Sequence, residues 1–214
     1  LDEYPQAFNI EKGVLRVNQD QINLEGITAK YMESDLTLNG QFSNVTGYIL
    51  DKAQPLKGQL KINSNLLKVV DFLSYTTDEN LNIEQNQSTP GVLLIPENLN
   101  IQILPQILKT DYMGSVINNL VADIKIQQGK AQLKNTSFDI AGAKANLNAS
   151  YAPTSTSSAD FDISITAKDF DIQKVYNEVP IFKELISMAQ YAKGIASLDY
   201  QLKGILNDSM SPLY

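Results

Sequence analysis

The chain has 214 residues, 43% of them hydrophobic, with 24 acidic against 17 basic side chains and a net charge of −7. That length supports one or two domains with a buried core, and the scattered lysines and arginines argue against nucleic-acid binding or adhesion driven by anionic headgroups. Cysteine and histidine are both absent, which removes disulfides, thiolate chemistry, zinc–thiolate sites and every triad that needs a histidine.

No apolar run approaches the ~18–20 residues of a membrane helix; "GVLLIP" at 91–96 is the longest apolar cluster. There is no initiator Met and no signal-like segment, so the chain is expected to be a piece of a longer protein with its export or anchor segment upstream.

Short segments of period two dominate from the start. Leu15 and Val17, then Ile22 and Leu24, alternate with polar residues. At Glu25–Gly26 the parity changes, and Ile27, Ala29 and Tyr31 carry the apolar set. Leu36, Leu38, Gly40 and Phe42 follow after "MESD". This predicts strands with one dry and one wet face, joined by short turns into an antiparallel meander. A strand "LKGQLKIN" comes next, then "SNLLKVVDFLSY", where Leu66, Leu67, Val70 and Leu73 lie at helical spacing behind Ser64 or Asn65 as N-cap. The polar stretch "TTDENLNIEQNQSTPG" reads as a linker.

A shift of 109 positions superimposes the second half on the first. Leu15 and Val17 fall on Ile124 and Ile126; Leu24 falls on Leu133; Ala29 falls on Phe138; Leu38 and Phe42 fall on Leu147 and Tyr151. The parity change recurs at Lys134–Asn135, where a β-bulge would absorb one residue at Gly26 and at Asn135. A strand with Phe161, Ile163 and Ile165 on one face follows. Then come helices over Ile172–Val179 and Pro180–Ala192, broken at Pro180 and stopped at Gly194. Leu185, Ile186, Met188 and Ala189 supply an apolar stripe that is expected to pack on the sheet, with docking to a partner or membrane surface as the other reading. Asp160, Asp162, Asp169 and Asp171 read as a solvated face and helix capping rather than catalytic or calcium-binding groups.

The fold class is therefore mainly β with a few helices: curved antiparallel meander sheet or sheets from two tandem β-repeats, each followed by an amphipathic helix. Residues 1–76 form the first repeat, 77–91 the linker, 92–194 the second repeat, and 195–214 the start of a further strand.

The ordered set "GVLRVNQDQINLEGITAKYMESDLTLNGQF", "PLKGQLKINSNLLKVVDFL", "LIPENLNIQI", "INNLVADIKIQQGKAQLKNTSFDIAGAKANLNASY", "FDISITAKDFDIQKVYNEV" and "KGIASLDYQLKGILNDSMSP" resembles the C-terminal repeat region of AsmA-like proteins of the Bacteroidetes type. The resemblance implies a periplasmic, inner-membrane-anchored protein associated with outer-membrane assembly. It further implies kinship with bridge-like lipid transfer proteins, whose stacked β-repeats form an apolar groove.

On that basis the expected ligands are lipid acyl chains, the expected neighbours are other repeats of the full-length chain, and neither an enzyme activity nor a cofactor is expected. The lining would be Leu15, Val17, Ile22, Leu24, Ala29, Leu36, Leu38, Phe42, Ile124, Ile126, Leu133, Phe138, Leu147, Tyr151, Ile163 and Ile165. A structural or protein-interaction module with a sealed sheet–helix core predicts the same alternation and stays open at this point. A carbohydrate-active domain is the third reading, and the absence of Trp weighs against it.

Overall fold

A computed structural model describes residues 8–50, 54–73, 92–112 and 114–213. The period-two segments become the strands β1 (Asn9–Asn18), β2 (Gln21–Tyr31), β3 (Ser34–Ser43), β4 (Leu56–Lys68), β5 (Leu99–Tyr112), β6 (Ser115–Gln127), β7 (Lys130–Ile140), β8 (Ala143–Ser155), β9 (Ser158–Asp171), β10 (Ile195–Leu206) and β11 (Pro212–Leu213). They hydrogen-bond in chain order as one open, curved sheet. The helices are short: α1 (Val45–Leu50), α2 (Val69–Leu73), α3 (Ile172–Glu178), α4 (Pro180–Leu185) and the 3₁₀ turn η1 (Ser187–Tyr191). The polar linker, 77–91, lies outside the described residues.

The expected meander holds with one exception. β4 and β5 are parallel, in register from Leu56↔Leu99 to Lys68↔Asp111. Neighbouring strands can run parallel only when the chain returns to its starting end, which needs a connection of about a dozen residues or more. The stretch from Lys68 to Leu99 supplies it, so the link that reads as a spacer in the sequence sets strand direction instead.

Two helix expectations are corrected. Leu66 and Leu67 are in β4, and the helix there is reduced to Val69–Leu73. The Asp35 carboxylate accepts the amides of Asn65 at 3.1 Å and Leu66 at 2.8 Å, and Lys68 N donates to Ser34 Oγ at 3.0 Å. With β5 pairing the other edge, extended backbone is satisfied on both sides and outcompetes a helical turn. Burial pushes the Asp35 carboxyl up, but those amide bonds outweigh it, so it sits below the usual carboxylate range.

The second correction is at Pro180–Ala192, where α4 ends at Leu185 and Ile186 leaves the helical region at φ −131, ψ 66 before η1 begins. The break at Pro180 is as expected, with Pro at the first turn of α4. Asp171 caps α3, its carboxylate accepting from Lys174 N at 2.8 Å. The sequence does not announce α1, which is held by Asp20 of the β1–β2 turn accepting the amides of Asn44 and Thr46, each at 3.1 Å.

Both parity changes are β-bulges. Gly26 and Asn135 adopt left-handed backbone, φ 56 and 50, and the ladder skips between Leu24 and Ile27 and between Leu133 and Thr136. Each bulged amide is taken by an asparagine on the next strand: Gly26 N donates to Asn39 Oδ1 at 2.8 Å and Asn135 N to Asn148 Oδ1 at 3.2 Å. The pairs match position for position under the 109-residue shift: Leu15↔Leu24 and Ile124↔Leu133, Ile22↔Phe42 and Ala131↔Tyr151, Ala29↔Leu36 and Phe138↔Ala145.

An unsatisfied amide at a bulge costs about 1 kcal/mol or more. Asn39→Ala and Asn148→Ala are therefore each expected to lower stability by about 1 kcal/mol, with the Asn39 change the larger because its bond is shorter and less exposed. Urea unfolding of the two variants checks this, and a neutral result at either site removes the shared role.

Candidate functional site

Residues paired across a ladder project to the same side, so the registers fix which side chains share a face. One rung runs Val17–Ile22–Phe42–Gly58–Ile101–Ile126–Ala131–Tyr151–Phe161–Gly204 across β1 to β10. The next runs Leu15–Leu24–Gly40–Leu60–Ile103–Ile124–Leu133–Ala149–Ile163–Leu202. Apart from the Tyr151 hydroxyl, neither carries a polar side-chain atom. Ten strands at ~4.8 Å spacing make this stripe ~43 Å long, crossing the strands rather than following them.

The remaining expected lining positions lie on the same face, one or two rungs along: Ala29 with Leu36, Phe138 with Ala145, Leu38 with Ile62, and Leu147 with Ile165. The sequence reading omits Leu60, Ile62, Ile101, Ile103 and Leu202. The alternation of Leu99, Ile101, Ile103, Pro105 and Ile107 is the signal for β5, but a proline argues against a central strand. Pro105 nevertheless lies inside the strand, opposite Ile62 on β4, and no β5–β6 pair falls between Ile103↔Ile124 and Gln106↔Val121.

The glycines in the rungs are filled by neighbours. A Cβ on Gly58 would lie 2.4 Å from Phe42 Cδ1, and one on Gly204 3.2 Å from Phe161 Cε1. The two rings thus lie across the glycines and keep the stripe apolar where a side chain is missing.

Both borders of the face are covered in part. At one end of the strands, Val175, Val179 and Phe182 of the α3–α4 segment pack with Ala141, Ala143, Ala145, Ala167 and Phe170; Phe170 and Phe182 meet edge to face at 6.1 Å. At the other end, residues 92–98 cross the rim. Val92 N donates to Thr156 O, the Tyr151 hydroxyl to Leu93 O at 2.9 Å, and Leu56 N to Asn98 O. Burial raises the Tyr151 pKa, against the pull of its bond to Leu93. Between these borders Leu24, Leu38, Leu60, Ile103, Ile124, Leu133, Leu147, Ile163 and Leu202 are half-buried, not buried. At the β1 edge Leu15 and Val17 are exposed.

The stripe expected to hold the last helices on the sheet does not do so. Leu185, Ile186 and Met188 face solvent, and only Ala189 of that set is buried. The kink at Ile186 ends the continuous 3.6-residue period that would have kept all four on one side.

The opposite face is polar and knitted across strands. Gln59 Nε2 donates to Gln102 Oε1 at 2.9 Å, Gln102 Nε2 to Asp123 Oδ1 at 2.8 Å, and Arg16 pairs with Glu25 at 2.9 Å. Asp160 and Asp162 belong to it, alternating with Phe161 and Ile163. A hollow of 520 Å³ opens on this side, between β3 and β6, lined by Asp35, Thr37, Asn63, Asn65, Gln106 and Asn119 among others. Enclosed volume therefore does not mark the apolar stripe, which can hold a ligand only by contact area. Among the described residues no cluster of three or more acidic, His or Cys side chains could hold a metal ion, and no helix is long and apolar enough to cross a membrane. No family model, curated protein or solved structure matches the chain.

Proposed function

We propose that the chain is a non-enzymatic lipid-handling module whose apolar face receives lipid acyl chains, laid across the strands. One observation carries this reading: two apolar rungs run across ten strands, and most of their side chains stay half-exposed between partly covered borders. The hydrocarbon core of a bilayer, two acyl chains deep, is ~30 Å thick, so a ~43 Å stripe is longer than both chains end to end. Each methylene taken from water contributes ~0.8 kcal/mol and asks for no particular polar group. A site of this kind needs neither a catalytic cluster nor an enclosed pocket.

The matched bulges, asparagine bonds and registers support two tandem units, β1–β4 and β6–β9, each with a helical segment after its fourth strand. The resemblance to AsmA-like proteins supports placing such a module in the periplasm, joined to an inner-membrane anchor outside these residues, among other repeats and in the service of outer-membrane assembly. The sealed-core alternative finds support only where α3 and α4 cover the alanine-rich border.

Native mass spectrometry of the chain purified without detergent tests the proposal. Phospholipid or fatty acid at defined stoichiometry is the expected result. A clean apo mass, together with no uptake of a fluorescent acyl probe, overturns it.

A further inference from the structure

The α4–η1 segment turns most of its large apolar side chains outward. Ile181, Leu185, Ile186, Met188 and Tyr191 are 60%, 65%, 40%, 79% and 81% exposed. Single exposed apolar residues are ordinary, but five on one short segment form a patch that calls for a partner. The segment is not a frayed end. Phe182 and Ala189 anchor it from below, and Gln173 Nε2 donates to the carbonyls of Ala189 and Ala192.

The charges beside the patch indicate which partner fits. Lys183 and Lys193 are exposed, and neither is in an ion pair among the described residues. Lys183 Nζ lies 5.4 Å from the centre of the Tyr176 ring. From α4 to the start of β10 the charged residues are Lys183, Glu184 and Lys193, two lysines against one acid in a chain of net charge −7. Apolar tips flanked by lysines, with tyrosine at the margin, match the boundary between headgroups and acyl chains: the tips enter the hydrocarbon edge and the ammonium groups meet phosphates.

We propose that the α4–η1 patch docks the chain onto the surface of a lipid bilayer. The helical segment joins β9 to β10 and packs against Phe138, Ala145, Ala167 and Leu198, which places the docked bilayer along the strand ends beside the β7–β10 half of the apolar stripe. The inference rests on the lipid-handling reading for its purpose, but its geometry stands separately.

The chain has no tryptophan, so Tyr191→Trp places a single tryptophan at the patch, excited selectively beyond the tyrosine absorption. Vesicles of phosphatidylcholine with phosphatidylglycerol are expected to shift its emission to the blue, and brominated acyl chains to quench it. The unlabelled chain is expected to co-float with the same vesicles, and Leu185→Asp combined with Met188→Asp to weaken that binding on the order of a hundredfold. Both positions are exposed, so circular dichroism should match the parent. Leu133→Asp, on the stripe, is expected to float like the parent.

No flotation of the parent, or equal flotation of the double variant, overturns the inference whether or not acyl chains are taken up. A concentration-dependent dimer that the double variant dissolves would assign the patch to a second copy and overturn it as well. Flotation through the patch without any acyl uptake supports the docking and sinks the lipid-carrying reading alone.

Discussion

Leu133→Asp is expected to lower affinity for a fluorescent acyl probe by about a hundredfold while leaving the chain folded. Leu133 sits mid-stripe, paired with Ile124 on one side and Ala149 on the other, away from the cluster under α3 and α4. Removing the leucine forfeits about 2 kcal/mol of acyl contact, and the carboxylate left in its place must lose water when a chain lies over it. Folding is affected far less, because the half-buried position lets the carboxylate reach solvent. Its cost should stay within about 1–2 kcal/mol, against about 4 kcal/mol or more for a charge forced into a sealed core. Thermal unfolding and probe titration of the same variant separate the two readings of the face. A collapse of the fold would mean that the stripe is an internal core; unchanged affinity would mean that acyl chains bind elsewhere.

Gly13→Val is expected to release β1 from the sheet. Gly13 has φ +141, and a Cβ there would lie 2.5 Å from both Cα and Cδ1 of Ile27. The ladder of β1 on β2 already shifts on either side of Lys12, so the strand has little regular pairing nearby to hold it. Backbone strain and overlap with main-chain atoms together cost about 3 kcal/mol or more. Against that stand edge-strand residues that are exposed throughout. Hydrogen exchange should show loss of protection across Asn9–Asn18 with β6 to β9 unchanged, and the stripe should shorten at Leu15 and Val17. Gly26→Asn is the control: nothing lies within 4 Å of a Cβ there, and the corresponding bulge residue is already an asparagine. Retained protection of β1 in Gly13→Val would show that the edge tolerates repositioning.

Much of the site was legible because strand faces are a local property. Alternation assigned the expected lining positions to one side of the sheet, and the change of parity at Gly26 and Asn135 marked the bulges, since a period of two leaves no other way to keep apolar residues together. The asparagine bonds behind those bulges could not be read, because each joins residues thirteen positions apart in sequence. The alternation of Ile101 and Ile103 is local, but that β5 lies between β4 and β6 with these side chains on the lining face depends on pairing with distant segments. Leu66 and Leu67 have helical spacing, yet the carboxylate of Asp35 and the edge of β5 hold them extended. Propensity loses to tertiary hydrogen bonding there.

By itself the sequence determined that the protein is mainly β with one apolar strand face, where its bulges fall, and that the last helical segment is broken at Pro180. These are consequences of side-chain periodicity and local backbone chemistry. Only the tertiary structure decided that all the described strands join in one sheet, that β5 runs parallel to β4, that the apolar rungs align across ten strands, and that Leu185 and Met188 point away from the core. Each depends on which distant segments meet and on how a helix turns at Ile186, and a pattern of polar and apolar letters contains neither.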